Sequence, residues 1–152
     1  MLLSNSDTGM DVFGAVTNAV AAERGWPNFA PRTTSPVVRA RLIAKARGVE
    51  PGLSEYRAMR EAEEERLFSP GDLNAWGYVL LEQQRLTEAV QVFNENVSYY
   101  PENAYAYDGL GEALLAIGDT EGTVRNYRRS LELDPANEGA AAALARIESV
   151  GR

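Results

Sequence analysis

The sequence contains no cysteine and no histidine, and Lys45 is its single lysine. Without thiols there is no disulfide, no zinc–thiolate site and no cysteine nucleophile. Without imidazole the commonest general base and the commonest metal ligand are gone as well. Long apolar runs are also missing, and none approaches the ~20 residues that a bilayer crossing requires. Met1-Leu2-Leu3 does not read as a secretion signal, because it has no basic start and its apolar run stops at Ser4-Asn5-Ser6-Asp7. The chain is therefore expected to stay in the cytoplasm. With so thin a catalytic toolkit, the expectation is a protein that is not an enzyme and needs no cofactor or metal.

What is present is ordinary globular material. The 152 residues are 45% hydrophobic and 24% charged, enough for one compact domain or a small domain with an appendage. The net charge of −7 is unevenly placed. Residues 1–69 hold nine acidic and nine basic side chains, whereas residues 70–152 hold thirteen acidic and six basic ones. An acidic half of this kind repels phosphate backbones and anionic lipid, so neither nucleic acid nor membrane is an expected partner.

Shifting the C-terminal half against itself by 34 residues produces a sustained register. Trp76 falls on Leu110, Gly77 on Gly111, Leu80 on Leu114 and Leu81 on Leu115. Ala89 then meets Thr123, Val90 meets Val124, Phe93 meets Tyr127, Val97 meets Leu131, Pro101 meets Pro135 and Asn103 meets Asn137. Within each unit the apolar residues step by three and four, which predicts two amphipathic helices per unit. One stripe is Trp76, Leu80 and Leu81; the next is Val90, Phe93 and Val97. Gly77 and Gly111 sit mid-helix, where glycine costs ~1 kcal/mol relative to alanine. That cost is expected where a second helix crosses too closely for a side chain. Gln84-Arg85 and Gly118-Asp119 supply the turns, and Pro101 and Pro135 end the second helices.

These residues, above all Gly109-Leu110-Gly111-Glu112-Ala113-Leu114-Leu115 and Ser130-Leu131-Glu132-Leu133-Asp134-Pro135, resemble a tetratricopeptide repeat. The chain departs from that pattern at Asn96, Thr123 and Ser130, which stand where small apolar residues are usual. The resemblance implies an all-α fold, a right-handed stack of antiparallel helix pairs, with repeats at 70–103 and 104–137. Two units rarely suffice for a stable stack. Residues 36–69 are accordingly expected to form a degenerate hairpin, Pro36–Arg47 and Leu53–Leu67, broken at Gly48-Val49-Glu50-Pro51-Gly52, with Leu42, Ala46, Leu53 and Tyr56 inward. Residues 138–149, chiefly Ala140 to Glu148, are the expected capping helix. The run Glu61 to Arg66 reads as a solvated helix face.

The first residues do not fit the period. Residues 1–28 predict a short strand at Met1-Leu2-Leu3-Ser4, a turn, and an amphipathic helix from Met10 to Arg24 stopped by Gly25-Trp26-Pro27; 29–35 read as a linker. This arrangement resembles the last strand and helix of serine beta-lactamase-like hydrolases, some bacterial members of which carry a C-terminal repeat tail. That resemblance implies a parent serine hydrolase, one of a kind that can be exported, of which this chain is the C-terminal segment. The catalytic residues are not here: Leu42 occupies the position three before Lys45 where a Ser-x-x-Lys motif needs its serine.

The repeat resemblance places a partner-binding groove on the first helices, at Asn74, Tyr78, Leu81, Tyr105, Asp108, Glu112 and Leu115. Repeat proteins that hold acidic peptide ends put lysine, arginine and asparagine there, whereas this chain offers Asp108 and Glu112. A protein or peptide partner that is basic or apolar fits better. Asp108 and Glu112, four apart on one helix face, also suit a metal or acid–base pair, but groove surface is the simpler reading. Ser4 to Gly9 lacks the ending of a phosphate loop. Asn96-Val97-Ser98 matches a glycosylation sequon inside a predicted helix. Homo-oligomerisation through exposed helix faces is the remaining alternative.

Overall fold

A computed structural model of the chain describes residues 35–62 and 67–150. The expected N-terminal strand and helix, and with them the hydrolase resemblance, lie outside the described residues. Among those residues the structure is helical between short turns, as the all-α reading anticipates. The helices are α1 Pro36–Arg47, α2 Val49–Ala62, α3 Pro70–Glu82, α4 Leu86–Tyr99, α5 Ala104–Ala116, α6 Thr120–Leu133 and α7 Glu138–Val150. None of them is long and apolar enough to cross a membrane.

Starts at 36, 70, 104 and 138 put α1, α3, α5 and α7 in one 34-residue register. Their N-termini are closed by local chemistry. Asn103 and Asn137, one period apart, each accept the backbone N–H three residues on, at 3.1 Å. Ser69 N–H donates to Asp72 at 3.0 Å at the start of α3. Each helix packs on its hairpin partner, α4 also packs on α5, and α6 on α7. First helices lie beside first helices (α1–α3, α3–α5), and α2 lies beside α4. The result is two layers of helices with two buried clusters between them, a larger one from α1 to α5 and a smaller one of α6 and α7.

That core explains the mid-helix glycines. A Cβ on Gly77 would lie 2.5 Å from the Phe93 ring, and one on Gly111 3.0 Å from the Tyr127 ring. A Cβ on Gly109 would also collide with Phe93, so this one ring is wedged between α3 and α5. Leu73, Trp76 and Leu80 of α3, Ala89 and Val92 of α4, and Leu110 and Ala113 of α5 complete the buried cluster. Burying aliphatic and aromatic side chains of this kind contributes about 1.5–3 kcal/mol each before entropy is counted. The inward stripe of α4 runs through Ala89, Val92, Phe93 and Asn96, while Val90 and Val97 are only half-buried.

The first hairpin differs from its sequence reading. Residues 49–52 do not break it; α2 begins at Val49, and only Gly48, at φ 99°, makes the turn. Pro51 is tolerated because the first helical turn needs no donor from it. Second helices start at 49, 86 and 120, so this hairpin is tighter than the others by three residues. The tightness is possible because small residues meet: a Cβ on Gly52 would lie 2.6 Å from the Ala40 carbonyl and 2.8 Å from Ala44 Cβ. Ala40 and Ala44 therefore face inward with Leu53 and Tyr56, Leu42 is half-buried, and Ala46 is exposed. Polar seams lock this hairpin onto the next. Arg57 grips Glu95 through two bonds of 2.7 and 2.8 Å and reaches Glu50 at 2.8 Å. The Arg60 guanidinium lies 4.3 Å from the Tyr99 ring and donates to the Tyr100 hydroxyl at 2.9 Å.

The three departures from the repeat pattern are all fully buried. Thr123 satisfies its hydroxyl on the Asp119 carbonyl at 2.7 Å, and Ser130 accepts from Asn137 at 2.9 Å. Asn96 has no partner for either amide atom among the described residues. Its burial also removes it as a glycan acceptor in the folded protein. An unpaired buried amide costs roughly 1–3 kcal/mol, and the small void left by alanine costs less at ~24 cal/mol per Å³. Asn96→Ala is expected to stabilise the fold by about 1 kcal/mol, read as a shift in the urea midpoint at constant slope. An unchanged or lowered midpoint would refute it. Gln84 closes the α3–α4 turn at φ 59°, where Gly118 in the next turn has φ 85°. Glycine relieves the left-handed strain but loses more chain entropy on folding. The net gain expected for Gln84→Gly is about 0.5–1 kcal/mol, visible as a Tm rise of a few degrees in circular dichroism.

Candidate functional site

Of the seven residues expected to line a groove, Asn74, Tyr78 and Leu81 lie on α3 and Tyr105, Asp108, Glu112 and Leu115 on the adjacent α5. Tyr78 is the link between them. Its ring meets Phe93 edge-on, with centroids 5.3 Å apart, so the core wedge also props the groove wall. Burial, then the nearby Glu112 and Asp108 carboxylates of α5, push the Tyr78 hydroxyl's pKa well up and keep it protonated. Tyr127 of α6 lies within electrostatic reach of the same carboxylates. Burial first, then Glu112 and Asp108, push its pKa up to about 12.

Asp108 is half-buried and more than a free groove anion. Burial raises its pKa, an Asn137 hydrogen bond opposes the rise, and Glu112 one turn away adds to it. Asn137 caps α7 and donates to Ser130 of α6, so one side chain ties two helices together while lying close enough to Asp108 of α5 to oppose the rise in its pKa. Sequence reasoning missed this role for Asn137, and that of Tyr127, although the matched pairs Asn103/Asn137 and Phe93/Tyr127 were the available signal. Asn74 is half-buried, and its Oδ1 is fully buried without a partner, close against Gly109. Leu81 is half-buried. Tyr105 and Leu115 stand open, 61% and 41% exposed, and Glu112 is exposed between them.

Neither α3 nor α5 carries a lysine or arginine. No cluster of three or more candidate metal ligands occurs among the described residues. A shallow hollow on α6, lined by Thr120, Val124 and Arg128 among others, belongs to the other helix layer. Its charges are engaged, Arg125 with Glu121 at 2.7 Å and Arg128 with Glu148 at 3.4 Å.

Because the folded-state pKa of Asp108 is raised, the folded chain binds that proton more tightly than the unfolded chain. Stability from this group is therefore present at low pH and lost as pH rises through the folded value. Asp108→Asn keeps an acceptor for Asn137 and removes the charge. It should unfold at a higher temperature than wild type at neutral pH, with the advantage vanishing below about pH 4, where free aspartate protonates. Equal Tm values at neutral pH would contradict this.

No family model matches the chain. Over 61 residues it is 38% identical to an Hsp70-Hsp90 organizing protein of Triticum aestivum, which spans 40% of this chain and 10% of that protein. Over 64 residues it is 33% identical to heat shock protein STI1 of Saccharomyces cerevisiae, 42% of this chain and 11% of that one. The chain thus matches about a tenth of the length of these curated relatives. Among solved structures, the first TPR of Spaghetti (RPAP3) bound to the HSP90 peptide SRMEEVD superposes with a TM-score of 0.55. That match is 20% identical and covers 78% of this chain and 94% of the other. The period, the helix layers and these likenesses together make the described part of the chain a tetratricopeptide-type repeat array.

Proposed function

We propose that the array is a protein-interaction module that holds a basic or apolar segment of a partner across the α3–α5 face and performs no chemical step on it. One observation carries the reading: this face exposes Tyr105, Leu115 and Glu112, adds the half-buried Tyr78 and Asp108, and has no cation on either helix. Tyrosine and leucine supply apolar area at low entropic cost, and the carboxylates select for positive charge. The structural neighbour was solved with a peptide ending in Glu-Glu-Val-Asp. An acidic tail of that kind would bring like charges together on the face described here, which disfavours binding.

The direct test is fluorescence anisotropy on the full chain with two labelled peptides, SRMEEVD and a length-matched peptide of alternating arginine and leucine. The arginine–leucine peptide should bind, weaken as salt rises, and lose several-fold affinity in Glu112→Gln. SRMEEVD should show no saturable binding. Tighter binding of SRMEEVD than of the basic peptide would overturn the proposal.

A further inference from the structure

Helix α1 is the chemical opposite of the α3–α5 face. Its sequence PVVRARLIAKAR carries Arg39, Arg41, Lys45 and Arg47 and no acid. Arg39 is paired with Glu55 at 2.6 Å, whereas Arg41, Lys45 and Arg47 have no ion-pair partner among the described residues. Between these cations stand the half-buried Leu42 and Ile43 and the exposed Ala46. In the acidic half Arg85, Arg125, Arg128 and Arg129 each hold a glutamate, and Arg146 of α7 has no ion-pair partner among the described residues.

Among the described residues the exposed large hydrophobic side chains are Tyr105, Leu115 and Ile117, all on α5 or at its C-terminal end. Glu112 is exposed among them, and Glu82 is exposed at the end of the neighbouring α3. Exposed apolar side chains flanked by carboxylates without ion pairs on the α3–α5 face thus complement α1, where cations without ion-pair partners flank the half-buried Leu42 and Ile43. Both are present in every copy of the chain.

We infer that the outer face of α1 of one copy docks on the α3–α5 face of a second copy, head to tail. This rests on the reading that the α3–α5 face accepts basic and apolar segments. The two patches differ, so the contact is heterologous. Its charge pairs are exposed, so they steer and select more than they hold, and the contact is weak and salt-sensitive.

Sedimentation velocity on the full chain tests it, over a wide concentration range at low and high salt. Wild type should sediment faster with concentration at low salt and as a monomer at high salt. Lys45→Glu with Arg47→Glu reverses exposed charges on α1, and Glu82→Lys with Glu112→Lys reverses the other face. Each double variant, with helicity confirmed by circular dichroism, should be monomeric alone, and an equimolar mixture should recover the faster-sedimenting species. A monomeric wild type at low salt, a variant that still associates as wild type does, or a mixture of folded variants that stays monomeric would each overturn the inference. If the arginine–leucine peptide binds a strictly monomeric wild type, self-docking falls and the partner-binding face stands. If the mixture recovers while the peptide fails to bind, the extended-peptide form of that reading falls and self-docking stands.

Discussion

The position of one phenyl ring governs this structure. Phe93 projects from α4 into the gap between α3 and α5, and it fits there because Gly77 and Gly109 present bare backbone. Each glycine costs ~1 kcal/mol in helix propensity. The return is a fully buried ring of the kind whose truncation typically costs 3–5 kcal/mol, and it spans a hairpin and its successor at once. The spacing of α3 from α5, and hence the width of the face they share, follows from this wedge. Tyr127 against Gly111 repeats the first half of the device one period later.

The first hairpin solves the same packing problem by another route. In place of an aromatic against glycine, it brings Gly52 against Ala40 and Ala44 and shortens the connection to Gly48 alone. Tyr56 remains fully buried and stacks edge-on with Phe68 at 5.2 Å, joining this hairpin to the common core. The Arg57–Glu95 and Arg60–Tyr99 contacts then lock α2 to α4 with geometry that a purely apolar seam would lack. Buried polar residues at the repeat's small positions are tolerated when a local acceptor or donor is in reach, as for Thr123 and Ser130. Asn96 has none, and is the structure's one such position left without compensation among the three.

Electrostatics on the first-helix layer follow from the same backbone. Tyr78 packs edge-on against Phe93 with the Glu112 carboxylate nearby, so core packing orients a half-buried side chain of α3. Asp108 is drawn toward Asn137 at the α7 cap. The face that remains is carried by Glu112, Tyr105 and Leu115, and its sign is unopposed by any cation on α3 or α5.

Periodicity alone determined much of this protein: a 34-residue register, mid-helix glycines that require close crossing, and prolines that stop helices are local facts written in residue order. They sufficed for the all-α repeat fold and for the lack of cations on α3 and α5. Tertiary structure decided the rest. Leucine periodicity pointed to Leu42 and Ala46 in α1, but the close approach allowed by Gly52 turned Ala40 and Ala44 inward instead, because backbone proximity outweighed side-chain size. The sequence could place Asp108 and Glu112 on one helix face. Only the fold divided them into a half-buried carboxylate near the α7 cap and an exposed one, since burial depends on neighbours tens of residues away.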